Sequence, residues 1–157
     1  MREIKFRGKT VNGDEWIYGM TISKGTIKRK ANKVFMEVEE NRWKGLQDGS
    51  LGQYTGLKDK NGKEIYEGDV VDWVFFYYGF GRNGGVIERD TIVRGIIKWQ
   101  HGGFIFEVIE NDFEEAGFYS ISALYTDTEA DVEVVGNIHD NPELIKEEFK
   151  LLGYENE

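Results

Sequence analysis

Gly52-Gln-Tyr-Thr-Gly-Leu-Lys-Asp-Lys-Asn-Gly-Lys-Glu-Ile-Tyr-Glu-Gly-Asp-Val-Val71 runs straight into Asp72-Trp-Val-Phe-Phe-Tyr-Tyr78. Asn61-Gly62 suits a tight turn, because both positions accept positive φ. Ile65 and Tyr66 lead to a second turn at Gly68-Asp69. There glycine supplies positive φ, and the aspartate is placed to accept neighbouring backbone N–H bonds. Past this corner, Val70, Asp72, Val74, Phe76 and Tyr78 share one face of an extended strand. Val71, Trp73, Phe75 and Tyr77 form the other. Both faces are apolar except at Asp72, so the strand is central in a sheet, or a partner covers one aromatic face. Gly62, Gly68 and Asp69 are expected to be structural. A glycine–aspartate corner that launches a bent strand and further hairpins is how a small SH3-like barrel begins.

Towards the N-terminus, Ile4–Lys9 and Glu15–Ile22 read as strands flanking Asn12-Gly13. Trp16, Tyr18 and Met20 alternate with Ile17, Gly19 and Thr21. Val34–Val38 is another strand, and the polar, glycine-dotted residues 39–52 read as a loop. Towards the C-terminus, strands are expected at Val86–Glu88, Thr91–Trp99, Phe104–Glu110, Phe118–Tyr125 and Val132–Ile138. Gln100-His-Gly-Gly103 reads as the hairpin turn between two of them.

The chain closes on an expected helix over 139–153. Asn141 is a suitable N-cap, Pro142 suits the first helical position, and Glu143 puts negative charge in the first turn. Both Asn141 and Pro142 are assigned structural roles. Leu144, Ile145, Glu148, Leu151 and Leu152 share a face with Phe149 beside it, which gives an apolar stripe, and Gly153 is a terminator. The expected architecture is mainly β. An N-terminal β lobe spans 1–50, and an SH3-like barrel with its C-terminal helix spans 51–157. One compact unit over 1–157 is the alternative.

The 157 residues, 39% apolar and 14% aromatic, suffice for a core without a metal or disulfide staple. No cysteine is present, which removes disulfides, zinc–thiolate sites and cysteine nucleophiles. The start has no apolar signal core, and the longest apolar stretch, Val70–Phe80, is far short of the ~20 residues a spanning helix needs. A cytoplasmic location and no membrane partner are expected.

Net charge is −9, unevenly spread. Residues 1–34 hold nine Lys/Arg and three Asp/Glu, and the remainder holds 11 and 26. An acidic total disfavours a broad polyanion surface. Lys24, Lys28, Arg29, Lys30 and Lys33 could still bind nucleic acid, with Trp43 or Tyr54 as stacking surfaces. They could equally lie against the acidic rest of the chain.

Strings that could carry chemistry read as architecture. Gly79-Phe-Gly-Arg-Asn-Gly84 matches G-x-G-x-x-G, but extended residues follow where pyrophosphate binding needs a helix N-terminus. Asp59-Lys-Asn-Gly-Lys-Glu64 resembles the opening of a calcium loop, with its glycine fourth instead of sixth. The acids Glu107, Glu110, Asp112, Glu114 and Glu115 have no fixed metal geometry and read as a solvated edge. His101 and His139 belong to no recognisable triad. No catalytic residue, metal or cofactor is assigned, and an enzyme, which would need a deep pocket where several carboxylates converge, is the less favoured third reading.

Three segments resemble the YopX family of phage and prophage proteins. They are Arg2-Glu-Ile-Lys-Phe-Arg-Gly8, Gly52–Val71 and Val134-Val-Gly-Asn-Ile-His-Asp-Asn-Pro-Glu-Leu-Ile145. The resemblance implies a mostly β structure with an SH3-type barrel and a phage or prophage origin. It brings no activity and no site residues. The function expected is that of a phage accessory protein, most simply a non-catalytic module that binds a host or phage protein or a second copy of itself. Trp73, Phe75 and Tyr77 are its interface candidates, since aromatics are enriched at interface hot spots. Core packing of the same residues is the plainer reading. A small-barrel nucleic-acid binder using residues 24–33 is the alternative.

Overall fold

Phe6–Lys9 (β1) and Trp16–Gly19 (β2) make the first antiparallel pair of the computed structural model, with Arg7 opposite Tyr18 and Lys9 opposite Trp16. The structure describes residues 3–27, 30–80, 86–110, 117–125 and 131–145; within these, only the backbone is described for 26–27, 30–32, 75–80 and 86–91. The described residues fall into two compact units, one up to Leu57 and one from Lys58.

In the first unit β1 also pairs with β6 (Gly52–Lys58). A separate sheet runs in the order β3 (Ile22–Ile27), β4 (Lys30–Glu39), β5 (Arg42–Gly45). Ile17, Met36 and Leu46 are its buried core, with Phe6, Val34, Val38 and Leu51 packed around them. A Cβ on Gly8 would lie 2.6 Å from Leu46, so the close approach of β1 to that core needs glycine. On the other face of β1, the Arg7 guanidinium lies 4.7 Å from the Trp16 ring centroid, and buried Lys9 is 2.6 Å from Asp14.

In the second unit the chain passes through β7 (Glu64–Tyr66) to the corner. Gly68 takes φ +84°, donates its N–H to Ile97 O at 2.8 Å and accepts the N–H of Ile138 at 2.9 Å. Asp69 is buried, and its Oδ2 accepts the N–H of Tyr66 at 2.8 Å. The corner is thus fixed from three directions. Asp69→Ala is expected to lower stability by about 1–3 kcal/mol, since a buried backbone donor loses its acceptor. A thermal melt checks this; an unchanged midpoint would remove the assignment.

From the corner springs β8 (Asp69–Phe80), followed by β9 (Val86–Gln100), β10 (Gly103–Glu110), β11 (Phe118–Ser120) and β12 (Asp131–Asn137). All neighbours are antiparallel, in the order β11-β10-β9-β8-β12. Over Asp69–Val74, β8 is flanked by both β9 and β12, and the apolar side chains of that stretch meet buried residues on both sheet faces. Val71, Val93, Ile97, Phe106, Val108 and Val132 are buried on one sheet face. Val70, Ile96, Ile109 and Ile145 form a core on the other, with Ile138 and Leu144 against it. Asp72, the polar exception, faces Arg94 across the ladder and takes two bonds from it, at 2.7 and 2.9 Å. Those bonds hold the Arg94 pKa above its ordinary value against the opposing effect of partial burial, and the charges of Asp72 and Glu110 add to them.

The loop before β7 is organised by Asp59. Its Oδ1 accepts the N–H groups of Asn61 (2.8 Å) and Lys63 (2.9 Å), and its Oδ2 accepts the N–H of Val134 on β12 (3.1 Å). Lys60 adds a backbone bond to Val132 O and ion pairs at 2.7 Å to Asp131 and Glu133.

Several expectations are corrected. No sheet closes into an SH3-like barrel among the described residues. Three open antiparallel sheets are present, and the ends of the largest, β11 and β12, are not paired with each other. Residues 39–52 are not all loop. Asn41 takes φ +60° and its N–H bonds to Glu37 Oε1, turning the chain back into β5. Residues 86–100 form one strand, whereas 118–125 divide into β11 and a 3-10 turn, Ile121–Tyr125, that buries Leu124. Near Asn12-Gly13 the positive φ falls on Asp14. His101 (φ +52°) and Gly102 (φ +81°) form the expected two-residue turn.

At the expected helix, Pro142–Leu144 make a single 3-10 turn and Ile145 is extended (φ −99°, ψ 115°). The Asn141 side chain makes no cap bond to that turn; its Oδ1 accepts from Asn137 N instead. Residues 146–153 of the expected helix lie outside the described residues. Among the described residues no helix is long and apolar enough to cross a membrane.

Candidate functional site

The β9–β10 hairpin and the terminal strand β11 bring exposed aromatic side chains to one end of the five-stranded sheet. Trp99 sits opposite Phe104 across the two-residue turn, with ring centroids 4.9 Å apart in an edge-on arrangement. Phe106 is paired with Tyr119 of β11, and Glu107 with Phe118. Tyr119 and Phe118 therefore point to opposite sheet faces. On one face Trp73 meets Tyr119 at 5.7 Å and Phe106 at 6.1 Å, both edge-on. On the other, the His101 ring stacks on Phe118 at 5.6 Å. Phe104 and Phe106 are buried beneath, while Trp99, Phe118 and Tyr119 remain 49%, 59% and 45% exposed. Such rings on a well-packed base lose little conformational freedom on binding and present large contact area.

A second concave feature lies in the first unit. Thr10–Gly13, Glu15 and Trp43–Gly45 line a half-open groove of about 290 Å³. Trp43 and Val11 are its exposed apolar walls, and the Lys44–Glu15 ion pair, at 3.0 Å, lies alongside.

Of the interface candidates, Trp73 is half-buried and joins the aromatic edge. Phe75 and Tyr77 lie on β8, with their side chains outside the described residues. Of the basic candidates, Lys24 is exposed on β3 and Lys33 is paired with Asp48 at 3.2 Å. Lys28 and Arg29 lie outside the described residues, and Lys30 is described by its backbone alone. Tyr54 is 4% exposed and offers no stacking surface, whereas Trp43 does. Gly62 has φ +81° with open space around it, consistent with a turn.

In the acidic cluster, Glu107 is bound to Lys98 at 2.7 Å and Glu110 lies 3.7 Å from Arg94; Asp112, Glu114 and Glu115 lie outside the described residues. Residues 81–84 of the glycine-rich string lie outside the described residues, and the next described element is the strand β9, not a helix. Trp99, Phe118 and Tyr119 belong to this exposed patch and were not singled out by the sequence reading. The two-residue turn at His101-Gly102 already pairs Trp99 with Phe104, so half of the patch could have been found. The pairing of β11 with β10 could not.

The YopX protein family model matches residues 5–146. No curated protein matches the chain. The crystal structure of protein EF1440 from Enterococcus faecalis is similar with TM-score 0.43 and 23% sequence identity, over 93% of this chain and 100% of that chain. With the family match spanning both units of the fold, the chain belongs to the YopX family.

Proposed function

We propose that this YopX-family chain is a phage accessory protein that acts as a non-catalytic protein-binding module, with the aromatic end of β9, β10 and β11 as its contact surface. The observation that carries this is the exposure of Trp99, Phe118 and Tyr119 together on a terminal strand and its neighbouring hairpin, over a base of buried Phe104 and Phe106. Trp73 belongs to the same surface through Tyr119. Aromatic anchors seated on a rigid sheet are the usual centre of binding energy in protein interfaces. The nucleic-acid reading has less support, because Lys33 is engaged by Asp48 and Tyr54 is buried.

Affinity capture from phage-infected cells, with protein and nucleic acid both identified, tests the proposal. A specific protein is expected on the wild-type chain. Its recovery should fall more than tenfold with the Trp99→Ala, Phe118→Ala double variant, whose exposed positions leave the fold intact. Equal recovery on both baits, or capture of nucleic acid alone, would reject it.

A further inference from the structure

We infer that β11 takes up an extended, basic peptide segment of the partner as an additional antiparallel strand. The inference rests on the protein-binding reading and specifies how the partner is held. The N–H of Val108 bonds to Gly117 O, which marks that pair as hydrogen-bonded across β10 and β11. Antiparallel alternation then turns the Tyr119 backbone inward to Phe106, and the N–H and C=O of Phe118 and the N–H of Ser120 outward, while the Ser120 C=O opens the 3-10 turn that follows. Among the described residues β11 ends the sheet, and no strand pairs with that outward edge. An unpaired edge flanked by side-chain contacts on both faces is what strand addition requires. Tyr119 and Trp99 offer one face to alternate side chains of the incoming strand, and Phe118 offers the other, with Glu107 directly across from it on β10.

Two arguments favour a basic peptide over a second copy of the chain. The first is area. An aromatic side chain buries about 150–250 Å². The half-exposed rings here thus offer roughly 300 Å² per copy, or roughly 600 Å² in a two-fold contact, below the ~1,200 Å² of a stable interface. The second is charge. From Lys58 onward the sequence holds 9 Lys/Arg against 22 Asp/Glu, so two such edges repel and a basic strand is drawn in. A lysine over the exposed Phe118 ring adds cation–π attraction.

The test uses the full chain and a fluorescein-labelled dodecapeptide alternating lysine and valine. Saturable binding is expected, with the largest backbone amide shifts at Phe118 and Ser120 by NMR. Binding should weaken at least tenfold in three cases: two central prolines in the peptide, glutamate in place of its lysines, or Ser120→Pro in the protein. That last change removes an outward donor and leaves the β10 ladder in place. Ser120→Pro must retain the wild-type melting temperature, and Phe118→Asp is the second variant if it does not. Equal binding of the proline peptide, shifts centred elsewhere, or no binding at about 1 mM peptide overturns strand addition. So does a dimer by sedimentation that the peptide cannot dissociate. The protein-binding reading survives those results if the double variant still loses its captured partner, and falls on its own if it does not.

Discussion

Asp59→Ala is expected to destabilise the second unit by about 3–5 kcal/mol, the largest loss from any side-chain truncation in its loops. One carboxylate accepts three backbone N–H groups, from Asn61, Lys63 and Val134, and it is buried. Alanine leaves all three donors without their acceptor. The effect has a pH signature. Burial disfavours the charged form of Asp59, but the bonds from Val134, Lys63 and Asn61, with the charge of Lys63, outweigh it and hold the pKa below 3.8. A depressed folded pKa means that the stabilisation is complete above the unfolded value and is lost as pH falls through the folded one. The gap between wild type and Asp59→Ala in urea unfolding should therefore be at its full width above the ordinary carboxylate range and narrow as pH falls below 3.8. A gap under about 1 kcal/mol, or one independent of pH, would show that the carboxylate does not hold this loop.

Gly95→Ala should cost about 3 kcal/mol through overpacking. A Cβ at this position would lie 2.6 Å from Glu107 O and 2.6 Å from the Phe106 ring. The carbonyl belongs to β10, and Phe106 is fully buried, so neither is free to withdraw. The β9–β10 ladder must open or the ring must leave its rotamer. Phe106 also supports Trp73, so the variant should lose near-UV circular dichroism ahead of its far-UV signal. Gly103→Ala is the control, since nothing lies within 4 Å of its added methyl. Equal melting temperatures for the two variants would contradict the close packing at Gly95.

What could be read from the sequence was the local chemistry. The positive φ of Gly68, Gly62 and Gly102 follows from turn preferences within a few residues. The doubly apolar character of β8 fits its first half, Asp69–Val74, which has a strand on each side. Pairing is where the reading stops. Nothing local states that β12 returns to lie beside β8, or that β11 ends the sheet, because strand order is set by contacts distant in sequence. Asp59 shows the limit well. Its neighbours suggest a turn tip, but its third bond comes from a residue 75 positions away.

Two of the segments that carry the family resemblance, Gly52–Val71 and Val134–Ile145, meet at this place. Asp59 bonds to Val134, Gly68 to Ile138, and Val70 faces Gly136. The aromatic edge lies outside both segments.

The bond from Val134 to Asp59 also sets an order of events. Bringing these residues together closes a loop whose length-dependent entropy is about 4 kcal/mol, comparable with what the carboxylate returns. Such long-range closure makes folding slow. A nascent chain that has not yet produced residue 134 has an aspartate waiting and an open flank on β8. Truncation before β12 should yield a sticky fragment for proteases and chaperones to clear, not a smaller working protein.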